Sequence, residues 1–112
     1  MTVAITTNTT EQTLSTIESF KSAWMPLTQA QDETSDLLER AINDIEENPL
    51  QYPVDSHAQQ QGVMLRRWMD PTGKYTCLFR YHATTDIASL DIFASTRQDY
   101  LKLLYLVQIS RP

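Results

Sequence analysis

The chain has 112 residues, 41% of them apolar, and a net charge of −5: enough for one packed domain and too little for two independent cores. No run of about 18 apolar residues is present to span a membrane, and residues 1–10 lack the basic start and apolar stretch of a secretory signal, so a cytoplasmic protein is expected. Its single cysteine, Cys77, rules out an intrachain disulfide and a thiolate-rich zinc site, and suits a reducing compartment.

Val3-Ala4-Ile5 reads as a brief strand. Thr9 with Gln12 has capping-box spacing, and Leu14, Ile17, Phe20 and Trp24 follow on one helical face until Pro26 stops the helix. Thr28 and Gln31 repeat that spacing before a second helix reaching about residue 47. Its apolar stripe is Leu37, Leu38, Ala41, Ile42 and Ile45, with Asp36, Glu39, Asp44 and Glu46 mostly turned away. Asn48-Pro49 ends it. The short connection predicts an antiparallel helical hairpin.

Residues 50–62 read as a loop. Strands are expected over 63–69, 75–81 and 87–93, with a type I turn at Asp70-Pro71-Thr72-Gly73 and a second turn over 82–86. Such short turns favour an antiparallel meander. Tyr100, Leu103, Leu104 and Val107, with Leu101 beside them, suggest a C-terminal helix over about 98–108. The fold class is therefore α+β in the order β-α-α-β-β-β-α, one domain over 1–112, with the N-terminal strand and helical hairpin packed on a mainly antiparallel sheet.

Charge divides the chain. Residues 1–56 hold two Lys/Arg against ten Asp/Glu, a net of −8, and residues 57–112 hold seven against four, a net of +3. Arg66, Arg67, Lys74, Arg80 and Arg97 come from neighbouring strands and their ends. Alternation sends Arg66 and Arg67 to opposite faces. A subset beside Tyr75, Tyr81 or Tyr100 is expected to form a positive surface for phosphate or for acidic side chains of a partner. The plainer reading is of solvated strand residues whose long stems cover apolar surface.

Several sequence words carry a family resemblance. Leu38-Glu39-Arg40-Ala41-Ile42 is followed by Asn48-Pro49 and Tyr52-Pro53. Met64-Leu65-Arg66-Arg67 opens the meander. Tyr75-Thr76-Cys77-Leu78-Phe79-Arg80 has the form Y-x-x-x-[YF]-R, and Ile92-Phe93-Ala94-Ser95-Thr96-Arg97-Gln98-Asp99 closes on R-Q-D. In this order the chain resembles the RelE/ParE superfamily of bacterial type II toxin–antitoxin toxins. The resemblance covers about residues 38–99 by motif and the first 30 by element order alone. It implies a small cytoplasmic toxin neutralised by a cognate antitoxin, with oligomers formed through that complex.

Two activities divide the family: ribosome-dependent mRNA cleavage in RelE-type members, and inhibition of DNA gyrase in ParE-type members. The chain leans to the second. RelE-type toxins carry an arginine where Thr76 stands. Ribosome binding favours a basic protein, and this one is acidic. Arg97 matches a functional RelE-type position, but Tyr100 and Tyr105 both miss the spacing of that family's C-terminal tyrosine. A binding module without toxicity is the third reading. The first candidates for a target- or antitoxin-binding surface are Arg80 and Arg97, then Arg66, Arg67, Lys74 and Tyr100. No catalytic residue is assigned, and no cofactor or metal is expected. His57 and His82 read as exposed loop and turn residues, Cys77 as core, and Met64, Trp68 and Met69 as core or partner groove.

Overall fold

The computed structural model describes residues 1–60, 62 and 64–95. Strand β1 is Val3–Thr6, helix α1 Asn8–Ser22 and helix α2 Leu27–Glu47. A 3-10 turn at Pro49–Gln51 and a short helix α3, Ser56–Gln60, lead to strands β2 (Arg66–Met69), β3 (Tyr75–His82) and β4 (Ile87–Ser95). One mixed sheet has the order β1-β4-β3-β2. The meander is antiparallel, and β1 joins it parallel to β4, Val3 opposite Ile87. The α+β class and the order β-α-α-β-β-β are as expected. The C-terminal helix, Arg97 and Tyr100 lie outside the described residues.

Helix α1 begins earlier than the sequence suggests. Thr7, not Thr9, is its N-cap, and the capping box is closed by Thr10, not Gln12. Thr7 Oγ1 accepts from Thr10 N at 3.2 Å, and Thr10 Oγ1 accepts from Thr7 N at 3.3 Å. The buried face is correspondingly rotated. Thr10, Thr13, Ile17 and Lys21 point inward, while Phe20 and Trp24 are exposed. The cause lies in the sheet. The parallel ladder with β1 ends where Thr6 meets Leu90, so the rest of that edge of β4 needs other partners. Threonines of α1 provide them. Thr7 and Thr10 hydroxyls donate to the Leu90 carbonyl, and Thr13 Oγ1 accepts from Phe93 N at 3.0 Å. In effect α1 continues the strand that β1 leaves unfinished.

Helix α2 also lacks the expected side-chain cap. Pro26 occupies the N-cap position with extended backbone, and the first helical bond runs from Ala30 N to the Pro26 carbonyl, leaving Thr28 inside the first turn. Leu37, Ala41 and Ile45 enter the core with Ile17, Trp68, Cys77, Phe79, Leu90 and Phe93. Two acidic residues expected on the solvent side do structural work. Asp44 Oδ2 accepts from Trp68 Nε1, and Glu46 Oε2 from Ala4 N, both at 2.9 Å. The second of these caps an amide on the outer edge of β1.

Residues 50–62 are not simply a loop. Besides the 3-10 turn and α3, Val54 bridges Arg66, and Arg67 N donates to the Pro53 carbonyl at 2.9 Å. That pairing shields part of the outer edge of β2, a common way to protect a sheet edge. The β2–β3 turn is as expected: Gly73 N donates to the Asp70 carbonyl at 2.8 Å, and Gly73 has φ +75°. In the β3–β4 turn Asp86 takes φ +56°. Its carboxylate accepts from the Thr2 and Tyr81 hydroxyls, each at 2.7 Å. Those two bonds hold the Asp86 carboxyl below its ordinary range, and the bond to Asp86 raises the Tyr81 hydroxyl.

Candidate functional site

Both sides of the central strands are buried. Tyr75, Cys77, Phe79 and Tyr81 face the helices, and Thr76, Leu78 and Arg80 face the other way. On that second face Thr76, Leu78, Ile92 and Ala94 have no exposure, so it too is closed to solvent at its centre. Arg80 stands at the edge of this closed region.

A β-bulge sets its environment. Leu78 pairs with Ile92 but Phe79 with Leu90, which leaves Asp91 as the extra residue of β4. The bulge turns the Asp91 carboxylate toward Arg80. Arg80 Nε donates to Asp91 Oδ2 at 2.7 Å and Arg80 NH2 to Oδ1 at 3.1 Å. This is the parallel two-point geometry that guanidinium and carboxylate favour. The Asp91 side chain is 3% exposed and that of Arg80 29%, so the pair is set at the surface with its acid end inside. Asp91 takes two of the five guanidinium N–H groups. The pair is neutral as a unit, and Arg80 keeps N–H donors that Asp91 does not occupy.

Arg67 lies on the same face, because it pairs with Leu78, two residues before Arg80. Among the described residues its side chain forms no ion pair, so it carries the unbalanced positive charge of this region. His82, two residues beyond Arg80, is exposed on the same face. Arg66 points to the helix side, opposite Phe79, and its NH1 donates to the Tyr52 carbonyl at 2.7 Å. Lys74 is apart from all three, lining a cleft of about 210 Å³ with Lys21, Glu33, Asp36, Arg40 and Tyr75. The four described candidates thus fall in three places. Arg67 and Arg80 share one face of the sheet, and Arg66 and Lys74 do not join them.

Chemically, the Arg67–Arg80 region can grip an anionic or hydrogen-bonding group on a partner. Among the described residues no set of three His, Cys, Asp or Glu side chains is placed to hold a metal ion. Cys77 is fully buried, and burial, with the Asp91 charge second, pushes its thiol well above the ordinary range, so it is no nucleophile. The Tyr52 hydroxyl is likewise raised, chiefly by burial.

Asp91 is the site residue that the sequence reading missed. A signal was present: an aspartate between Leu90 and Ile92, in a strand otherwise apolar, must find a cation or pay for burial. No helix among the described residues is long and apolar enough to cross a membrane. No protein-family model matches the chain, and no curated protein matches it.

Proposed function

We propose that this chain is a ParE-like toxin of a type II toxin–antitoxin pair, acting in the cytoplasm by binding an essential target, with DNA gyrase the first to test, and neutralised by a cognate antitoxin. The observation that carries the reading is the position of Arg80. It ends the Tyr75-to-Arg80 word on a central strand of a β-α-α-β-β-β fold and faces away from the helical layer, on the same side of the sheet as Arg67. The resemblance leads one to seek a functional arginine there.

The same geometry favours a binding toxin over a nuclease. Cleaving RNA without a metal calls for a cation free to meet the charge that develops at phosphate. Arg80 is already held by a carboxylate. Thr76, where RelE-type toxins place an arginine, has no exposure. A net charge of −5 also opposes ribosome binding.

The test is expression of the chain alone and together with the neighbouring antitoxin reading frame. Growth arrest is expected in the first case and rescue in the second. Arg67→Ala is the informative variant, since truncating Arg80 would remove a two-point partner of a buried carboxylate at a cost of about 3 kcal/mol. Inhibition of gyrase supercoiling by purified protein should weaken by about tenfold in Arg67→Ala. Absence of growth arrest rejects the toxin reading. Arrest with transcript cleavage and unimpaired supercoiling moves the assignment to the RelE type.

A further inference from the structure

Helix α1 and the turn that follows it present an unusual face to solvent. Phe20 and Trp24 are 73% and 69% exposed. Their rings meet edge to face with centroids 6.4 Å apart. Trp24 Nε1 already donates to the Phe20 carbonyl at 2.8 Å. The indole therefore has no donor left to offer water, and the pair presents an apolar knob.

Among the described residues, the surface leading to that knob has no charge. Gln12, Thr16, Ser19 and Ala23 are exposed around Phe20 at helical spacing. The charged residues of α1 lie elsewhere. Lys21 is buried against Glu33, and Glu18 accepts from the Thr34 hydroxyl. Glu11 precedes Phe20 by nine positions, which at about 100° per residue brings it out on the opposite side of the helix. Helix α2, by contrast, exposes Asp32, Asp36, Glu39, Arg40 and Glu47.

We infer that this face of α1 is where two copies of the chain associate, α1 against α1 about a twofold axis. Charge selects the occupant. Two copies of a protein of net charge −5 repel one another over most of their surfaces. They approach most easily through a region that lacks charge on both. A twofold contact places the same patch on each side, so an uncharged strip ending in aromatic residues is self-complementary. Aromatic enrichment with charge depletion is also the composition of interface centres. A strongly basic or acidic partner would be met by opposite charges, and this strip has none. One helix of 15 residues is about 22 Å long and offers less than the roughly 800 Å² per partner of a standard stable interface. The association is accordingly weak and rises with concentration.

Sedimentation velocity of the full chain across the micromolar range tests this. The weight-average mass should climb from monomer toward dimer. Phe20→Lys with Trp24→Lys should weaken association by about thirtyfold, the effect of losing one strong interface anchor. Thr16→Lys, which removes no apolar surface but brings like charges together, should weaken it in the same direction. Glu39→Lys, on the exposed side of α2, should leave the dissociation constant unchanged. Circular dichroism checks that each variant is folded. A monomer at every concentration, or a dimer that the α1 variants leave intact, overturns the inference. So does a dimer disrupted by Glu39→Lys. None of these outcomes bears on the role of Arg67 and Arg80.

Discussion

The side chains that decide how α1 sits are threonines. A search for apolar periodicity passes over them, and Leu14, Ile17, Phe20 and Trp24 make a convincing stripe. Only the first half of that stripe turns inward, because the β4 edge has main-chain groups to satisfy and hydroxyls can reach them. Replacing Thr13 by Val keeps the shape and deletes the acceptor for Phe93 N. A buried amide is then left unpaired, and the denaturation midpoint should fall by the equivalent of about 1–3 kcal/mol. Thr16→Val, at an exposed hydroxyl that donates only to the Gln12 carbonyl, should change stability far less. Asp91 teaches the complementary lesson. Its position in an apolar strand marked it as needing a partner, but the bulge that delivers it to Arg80 comes from strand register, which local sequence does not encode.

At the scale of elements, the helical hairpin and the meander were legible because their periods differ and their turn residues are distinctive. Element ends were less so, as the start of α1 at Thr7 and the pairing of residues 53–55 show. The hairpin is tied near its turn by Lys21, which bonds Glu33 at 2.9 Å and lies 5.2 Å from the Tyr75 ring centroid. Burial is the largest single influence on the Lys21 ammonium and lowers its pKa; the bonds and charges of Glu33 and Tyr75 together outweigh it and raise the pKa above 10.5. The Lys21 bond holds Glu33 below 4.5. The raised lysine stabilises the fold below its unfolded value and loses that contribution as pH climbs through the folded one. The lowered glutamate stabilises above its unfolded value and loses that contribution as pH drops through the folded one. The gap in urea midpoint between wild type and Glu33→Gln should therefore be flat through neutral pH. It should close below pH 4.5 and again above pH 10.5.

For the whole molecule, one sheet with two buried sides organises everything else. Cys77 lies at its centre with no exposure, between strands whose ladders cannot open singly. A thiol reagent should modify it no faster than the chain unfolds globally, and stoichiometric labelling should appear only once urea has melted the sheet. The candidate site was legible in part: the sequence named Arg67 and Arg80. Separating them from Arg66 follows from strand alternation, whereas separating them from Lys74 required the cleft that it lines with Lys21 and Arg40.

The sheet also couples the two ends of the described chain. β1 is made first, yet its ladder partner β4 lies 84 residues further along. A ribosome must therefore deliver nearly all of the described sequence before that pairing can begin. Until then Val3 and Ile5 wait without a neighbour, since Glu46 meets only the outward-facing amide of Ala4. Contacts so distant along the chain slow folding. Closure of β1 onto β4 is the step at which a nascent chain would be most open to capture by a chaperone.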